Sequence, residues 1–315
     1  MTQTFHHLPV LYHEVLHWMR PHAGGIYMDG TLGGGGHSEG ILTAAGEGAT
    51  LYGIDRDTEA IAAATARLHG FAGFHALHGN FHDAAELLKA QNAPLLDGAL
   101  VDLGVSSYQL DNAARGFSYH EDAPLDMRMD TSEGMTAAQY LAGITVPELR
   151  RILTDYGEEK WAARIAQVFD EKRCEKPILT TGDLVRVVDA AIPKAVRRKD
   201  EGHPARRTFQ AVRIALNDEL APLETALESM AGLLKPEGRL LVITFHSLED
   251  RIVKNTFRRL QNPCVCPPKA PICTCGKVSQ GKVLGGGAIP PSDEEVEQNP
   301  RARSAKLRVF EKRQA

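Results

Sequence analysis

The sequence contains no apolar run of membrane-spanning length, and its first residues do not combine a basic start with an apolar core. These absences argue against a membrane partner or secretion, so we expect a cytoplasmic protein. The chain has 36 Lys and Arg against 40 Asp and Glu, a formal net charge of −4. It therefore lacks the positive excess of an obligate polyanion binder, although net charge is a poor guide when basic residues cluster.

Basic residues do cluster, in stretches at 194–213, 251–259 and 301–313. Any one stretch has an ordinary explanation as a solvated helix face or strand edge. Three such stretches in an acidic chain favour a partner that carries phosphate groups. The arginines of the first stretch that we expect to contact such a partner are Arg197, Arg198, Arg206 and Arg207.

Cysteine is scarce, with five residues in 315, yet four of them fall within a dozen positions. In a reducing compartment such clustering favours a metal over disulfides, and four thiolates suit tetrahedral zinc. The sequence predicts one structural zinc, with reduced free thiols as the alternative. The predicted ligands are Cys264, Cys266, Cys273 and Cys275. Cys174, alone in a helical pattern, is expected to be buried.

Short apolar runs bounded by turn residues predict buried parallel strands. They are Gly25–Asp29, Thr50–Asp55, Gly73–Leu77, Gly98–Leu103 and Arg239–Phe245, with a closing strand at 305–310. Helical patterns alternate with them, which is typical of a doubly wound α/β sheet. Ligands bind such sheets beyond the carboxyl ends of the strands.

The strand signal disappears between Thr136 and Arg207, where helical periodicity predicts an all-helical insertion. We therefore expect one domain at 1–135 and 208–315, with a helical domain inserted at 136–207. A long helix should start near Arg207 and break or kink at Pro222. The glycines at 285–287 are expected in a loop.

A glycine run, Gly33-Gly34-Gly35-Gly36, follows the first predicted strand and leads into His37. Glycine permits a tight turn with positive φ and lets a ligand approach with no Cβ in the way. Asp55 ends the second predicted strand about twenty residues later, where a carboxylate can bind the hydroxyls of a ribose. These features predict a site for an adenosine-bearing ligand.

The identity of that ligand depends on two further features. The third glycine of a dinucleotide-binding loop is absent. Asp29, just before the run, would repel a pyrophosphate and attract the amino group of a methionine. The sequence therefore favours S-adenosylmethionine over a nicotinamide cofactor, with the glycines leaving room for its methionine part. Phe81, after the third strand, is expected either near the adenine or in the core.

Two other strand ends carry polar residues. Asp102 precedes a polar run that includes Ser106, Ser107 and Tyr108, and the strand Arg239–Phe245 is followed by His246 and Ser247. With these residues included, the sequence resembles the ribosomal RNA small subunit methyltransferase H family. The resemblance covers nearly the whole chain and rests on blocks at 13–16, 29–38, 102–111, 115–118, 124–130, 207–214, 245–251 and 299–304.

The resemblance implies a class I methyltransferase sheet with an inserted helical substrate domain. It implies methyl transfer from S-adenosylmethionine to the exocyclic N4 of a cytidine in the decoding region of 16S rRNA, within the 30S subunit or a late precursor. The oligomeric state is left open, with a homodimer as one option. The implied cofactor contacts are Gly35, Gly36, His37, Asp55, Phe81, Asp102 and Gln109.

An exocyclic amine is a poor nucleophile, so transfer requires alignment and a proton acceptor. Asp102 is predicted to accept a hydrogen bond from the amine, and His246 and Ser247 are further catalytic candidates that would orient or deprotonate it. The sequence leaves open which group takes the proton. Ser106, Ser107 and Tyr108 are predicted substrate contacts. Many exocyclic-amine methyltransferases carry two prolines and an aromatic residue directly after this acid, and this chain has neither. The candidates for stacking on the base are therefore Tyr108, Phe117 and Tyr119.

Two alternatives stay open. The chain could methylate a different rRNA base, or it could be an RNA-binding ribosome assembly factor without catalytic activity. The presence of the glycine run, Asp55 and Asp102 together favours an active enzyme.

Overall fold

The computed structural model describes residues 9–197, 202–267 and 272–314. The chain forms two compact units, a sheet unit made of Met1–Gly104 and Leu220–Ala315 and a helical unit made of Val105–Glu219. The helical unit is wider than the expected insertion at 136–207. Its core includes Phe117 and Leu125 on one side of that range and Val212 on the other.

The sheet unit carries one seven-stranded sheet. Its strands are β1 (Ile26–Asp29), β2 (Thr50–Asp55), β3 (Phe74–His78), β4 (Leu96–Asp102), β5 (Leu234–Thr244), β6 (Gly281–Ile289) and β7 (Lys306–Lys312). Their order is β3-β2-β1-β4-β5-β7-β6. The first five strands run parallel to one another, and β7 is antiparallel to both of its neighbours, β5 and β6. The predicted doubly wound α/β sheet is confirmed.

Helices flank the sheet and build the second unit. In the sheet unit before the insertion they are α1 (Tyr12–Met19), α2 (Gly36–Ala45), α3 (Thr58–Leu68) and α4 (Ala84–Ala90). Those of the helical unit are α5 (Ser107–Asp111), α6 (Ala137–Gly143), α7 (Val146–Asp155), α8 (Ala162–Glu175), α9 (Thr181–Ala191), α10 (Lys194–Arg197) and α11 (Arg206–Asn217). After the insertion come α12 (Leu223–Gly232), α13 (Ser247–Gln261) and α14 (Asp293–Gln298). No helix of the described ranges has the length and apolar character needed to cross a membrane.

Both faces of the sheet are buried. Leu100 and Leu241 belong to one apolar cluster, whereas Val101 and Val242, the next residues of the same strands, belong to another. This alternation follows from the two-residue period of a strand. It explains why the central strands are continuous apolar runs in the sequence.

Three local expectations can be compared with the structure. The helix break at Pro222 is confirmed, because α11 ends at Asn217 and α12 begins directly after this proline. The loop expected at 285–287 is wrong, since these glycines lie within β6. All three have positive φ, and the pairing with β7 shifts register between Leu284 and Ile289. The three glycines therefore form an irregular, bulged part of β6, and a sequence pattern of alternating side chains is absent there.

Cys174 also differs from expectation, because it is exposed on α8. The buried face of that helix includes Ile165 and Phe169. At about 100° per residue, Cys174 lies on the side of the helix opposite Ile165. Its neighbours at 170–173 are all charged.

Candidate active site

The candidate site lies at the carboxyl ends of β1, β2, β4 and β5, within the sheet unit. The strand order places β1 beside β4, with Asp29 paired to Leu100. From β1 the chain continues to β2 on one side, and it later enters β4 on the other side of β1. The neighbouring strands β1 and β4 are therefore the switch point of the sheet. Asp29, Asp55 and Asp102 each end one of these strands.

Asp29 is almost fully buried, with 1% of its surface exposed. Its Oδ2 accepts a hydrogen bond of 2.7 Å from the Ser38 hydroxyl, and its Oδ1 accepts one of 3.1 Å from the Thr31 N–H. Burial raises the pKa of Asp29 to about 6, although these two hydrogen bonds oppose the shift. The side chain therefore orders the segment between β1 and α2 from inside, and both of its oxygens are used there.

Asp55 holds the same segment from β2. Its Oδ2 accepts from the Gly33 N–H at 2.7 Å, and its Oδ1 accepts from the Asp57 N–H at 2.9 Å. Burial raises the pKa of Asp55, and the two N–H groups partly offset this. A carboxylate oxygen has two lone pairs, so each oxygen can still accept a ribose hydroxyl.

The glycine run does more than leave space for a ligand. Gly33 and Gly35 have φ of 50° and 76°, and Gly35 is the N-cap of α2. A Cβ on Gly35 would lie 3.2 Å from Ala64 and Leu68, and one on Gly36 would lie 2.6 Å from Pro9. Only Gly34 of the last three has no atom within 4 Å of that position. The open approach expected of the whole run is therefore found at Gly34.

Asp102 is the least satisfied carboxylate of the site. Its Oδ1 is buried and has no hydrogen-bond partner among the described residues, and its backbone N–H donates to Oγ1 of Thr31 at 2.6 Å. Burial, Asp29 and Glu249 raise its pKa well above the usual carboxyl value. The side chain nevertheless retains 26% exposure, so a ligand can reach it.

His37, the second residue of α2, is 7% exposed, and its ring stacks on Tyr12 at 6.4 Å. Burial lowers its pKa to about 4, while the Val10 backbone near the ring offsets part of the shift. Neither ring nitrogen has a partner of normal hydrogen-bond geometry among the described residues. His37 is thus a neutral imidazole at neutral pH, with a nitrogen 3.8 Å from Asp102.

His246 is the N-cap of α13 and forms a capping box with Glu249. Glu249 accepts from the backbone N–H of Phe245 at 2.8 Å and of His246 at 3.3 Å. The His246 Nε2 lies 3.0 Å from Glu249 Oε1 but out of hydrogen-bond alignment. This arrangement begins α13 at the end of β5 and brings Glu249 close to Asp102. Ser247, the first residue of the helix, is exposed.

Three acids, Asp29, Asp102 and Glu249, therefore meet at the switch point, and we call them the acidic cluster. Asp29 and Glu249 both raise the pKa of Asp102, and no Lys or Arg contributes to its shift. A cationic ligand would relieve this repulsion. The unpaired Oδ1 of Asp102, the unpaired nitrogens of His37 and the N-terminus of α2 fit S-adenosylmethionine, whose sulfur carries a positive charge.

Phe81 begins a short 3₁₀ turn after β3 and packs, half-buried, against the apolar cluster on one face of the sheet. A Cβ on Gly30 would lie 3.0 Å from the Cβ of Phe81, so the side chain lies beside the segment that follows β1. The ring therefore belongs to the edge of the core, beside the segment that follows β1. Its expected contact with the adenine stays a prediction.

The residues predicted to follow Asp102 belong to the helical unit. Ser106 is the N-cap of α5, and its capping box uses Gln109, whose Oε1 accepts from the Ser106 N–H at 3.1 Å. Ser107 and Tyr108 are exposed, Tyr108 by 49%. Phe117 is buried in the helical core. Tyr119 is partly buried and stacks on His203 at 4.6 Å.

The predicted RNA-binding arginines differ in their surroundings. Arg197 is ion-paired with Asp189 at 2.5 Å. Arg206 and Arg207 begin α11 and are exposed, with no ion pair to any described residue. Arg198 lies outside the described residues.

The four clustered cysteines lie between α13 and β6, and their sulfurs are within 4.8 Å of one another.

Glu249, Ser38 and Thr31 are site residues that sequence reasoning did not identify. The spacing from His246 to Glu249 resembles a capping box and could have indicated the role of Glu249. No signal marks Thr31 as the acceptor for Asp102.

The fold and this site define the class: a class I S-adenosylmethionine-dependent methyltransferase. The chain belongs to the MraW methylase family, whose model matches residues 4–313. It is 51% identical over 311 residues to the ribosomal RNA small subunit methyltransferase H of Geobacter sp. strain M21, covering 98% of this chain and 99% of that protein. It is 50% identical over 308 residues to the protein of the same name from Clostridium botulinum strain Kyoto, with coverage of 98% and 99%.

Among solved structures, an rRNA methylase from Streptococcus thermophilus aligns with 96% of this chain and 95% of its own, at 11% identity and a TM-score of 0.40. The family membership rests on the sequence matches, which confirm the resemblance to the methyltransferase H family.

Proposed function

We propose that this protein transfers a methyl group from S-adenosylmethionine to the exocyclic N4 of a cytidine in the decoding region of 16S rRNA. Family membership and relatives at about 50% identity support the reaction class. The observation that carries the assignment is the unpartnered Oδ1 of Asp102, at the end of β4 and inside the acidic cluster.

The cofactor, when bound, supplies a methyl group on a positively charged sulfur. Asp55 would hold its ribose, and Gly34, His37 and the first N–H groups of α2 would face its methionine part, because the first N–H groups of a helix lack partners within the helix. The acidic cluster would lie near the positive charge. Each of these residues lies in the sheet unit.

Asp102 has the properties that methylation of an exocyclic amine requires. The free Oδ1 can accept a hydrogen bond from the amine and hold it in line with the methyl group. The raised pKa makes this carboxylate a stronger base than an ordinary aspartate, which suits the removal of one amine proton. His37 stays neutral beside Asp102, so it does not form an ion pair that would compete with the amine for the carboxylate.

The substrate must present an extruded or unpaired base, because a stacked base is out of reach. We propose the 30S subunit or a late precursor in the cytoplasm as that substrate. Two pairs of basic residues without ion pairs to described residues support contact with RNA phosphates. They are Arg206 and Arg207 on the helical unit and Lys254 and Arg258 on the sheet unit. Lys254 and Arg258 line a cleft of about 250 Å³ together with Arg308.

The test is methyl transfer from labelled S-adenosylmethionine to immature and mature 30S particles, followed by nucleoside analysis. We expect label in N4-methylcytidine, and a loss of about 10²–10⁴-fold in rate for Asp102→Asn. Asp83→Asn, an exposed carboxylate of the same unit, is the matched control and should be fully active.

Label in another nucleoside would show that the enzyme acts on a different base. Particle binding without label would identify an assembly factor. Full activity of Asp102→Asn would remove Asp102 from the catalytic role.

A further inference from the structure

The cysteine cluster follows the C-terminal end of α13, the helix whose first turn carries Glu249 of the active site. Cys264 and Cys266 follow the end of α13, and Cys273 and Cys275 precede β6. All four sulfurs lie within 4.8 Å of one another, and no other group of metal-ligating side chains this compact occurs in the described ranges.

Four of the six separations between the sulfurs fall between 3.5 and 3.8 Å, and the other two are at most 4.8 Å. Cys273 lies 3.6 Å from Cys264, 3.8 Å from Cys266 and 3.5 Å from Cys275, and Cys275 lies 3.8 Å from Cys264. A zinc–sulfur bond is about 2.3 Å, so the edges of a tetrahedral four-thiolate zinc site are about 3.8 Å. Four of the six edges of the cluster therefore match those of a tetrahedral zinc site, and the other two exceed that length by no more than about 1 Å.

Disulfides would give a different pattern. They would join the sulfurs in two pairs at about 2.05 Å, whereas Cys273 has three sulfur neighbours at similar distances. A sulfur also accepts a backbone hydrogen bond, since the Thr274 N–H donates to Sγ of Cys266 at 3.4 Å. Such bonds orient thiolate ligands around a metal.

None of the described residues between Asn262 and Gln280 is buried. The apolar side chains of this segment face water, with Val265, Ile272 and Val278 exposed by 68%, 73% and 69%. At its base the segment is tied to the fold, because the Gln280 N–H donates to the Leu260 carbonyl at 2.9 Å. Without a buried core, a segment of this length requires a cross-link or a metal to hold one conformation.

We propose that Cys264, Cys266, Cys273 and Cys275 bind one structural zinc ion that fixes the segment between α13 and β6. Each thiol loses its proton to solvent as the metal binds. The fifth cysteine, Cys174, lies exposed on α8 and takes no part.

The experiment is elemental analysis of the full-length protein, purified with reductant and without chelator. We expect one zinc per chain in the wild type and in Cys174→Ser, and none in Cys264→Ser/Cys275→Ser. Replacement of the metal by cobalt should give the thiolate charge-transfer band and strong visible bands of a tetrahedral four-thiolate site.

A second measurement does not depend on the folding of a variant. Removal of the metal from the wild type should speed proteolytic cleavage between residues 262 and 280, and added zinc should restore resistance. A protein that holds no zinc and gives no cobalt bands would overturn the proposal. So would iron in place of zinc, two disulfides by intact mass, or zinc retained in the double variant.

Discussion

The Asp102 carboxylate lies 3.8 Å from Nε2 of His37, and no hydrogen bond joins the two groups. Burial lowers the pKa of His37 to about 4, whereas burial, Asp29 and Glu249 raise that of Asp102. The two groups therefore do not form an ion pair at neutral pH. Of the two groups, only Asp102 has a pKa that is shifted toward neutral pH.

This relationship predicts the pH dependence of the reaction. Asp102 must be ionised to accept from the amine, so kcat/KM should rise with pH through a midpoint above the usual carboxyl range. His37→Asn should keep this acid limb, because His37 is already neutral above about pH 5. The residual rate of Asp102→Asn should show no such limb. An acid limb lost in His37→Asn would assign the titration to the histidine.

Asp29 predicts a pH dependence of stability. Its pKa is raised to about 6 in the folded protein, against about 3.9 for an ordinary aspartate. Folding therefore favours the protonated form of Asp29. The stability that this preference contributes is fully present below pH ~3.9 and is lost as the pH rises through about 6. The loss amounts to about 3 kcal/mol, at 1.36 kcal/mol per pKa unit.

Denaturant unfolding of the wild type and Asp29→Asn between pH 4 and 7 tests this prediction. The variant cannot ionise, so the wild-type free energy of unfolding should fall relative to it by about 2 kcal/mol over that range, most of the full effect. Lost hydrogen bonds in the variant add only a constant offset. Parallel curves would show that Asp29 titrates normally.

The glycine run offers a matched pair of substitutions. Gly35→Ala places a Cβ at positive φ and 3.2 Å from Ala64, which should cost at least about 1–2 kcal/mol of stability. Gly34→Ala meets no atom within 4 Å and should change stability by less than about 0.5 kcal/mol. It should nevertheless weaken S-adenosylmethionine binding, as measured by calorimetry. Unchanged binding would place the ligand away from Gly34.

The unpaired basic residues predict the salt dependence of RNA binding. Arg206→Ala/Arg207→Ala and Lys254→Ala/Arg258→Ala should each weaken binding and lower the slope of log K against log salt by about 0.7–0.9 per lost phosphate contact. Arg259→Ala is the control, because Arg259 is ion-paired with Glu224 and Glu228. Equal effects of all three variants would indicate a general charge effect.

The parts of the fold that follow from burial could be predicted from the sequence. The first five strands appear as apolar runs because both faces of the sheet are covered, and the position of Asp29, Asp55 and Asp102 follows from the rule for strand ends. β6 could not be recognised, since three adjacent glycines with positive φ interrupt it. Their conformation depends on pairing with β7, which is a long-range contact.

The contacts of the site were less predictable than its location. The sequence suggested that Asp29 attracts a ligand, and it gave no indication that the same carboxylate accepts hydrogen bonds from Ser38 and Thr31. Glycines expected to leave space for a ligand pack against Pro9 and Ala64 instead. These contacts involve side chains from segments that are distant in sequence. The local sequence around the glycines therefore does not predict them.

The acidic cluster makes ligand binding a proton-releasing event. Where Asp29 and Asp102 are partly protonated, a cationic ligand stabilises their ionised forms and drives protons into the buffer. Calorimetric binding enthalpies should then depend on the ionisation enthalpy of the buffer near pH 6, the titration range of Asp29. The dependence should fade as the pH rises, and affinity should increase in parallel. The protein would thus exchange bound protons for the charge of its cofactor.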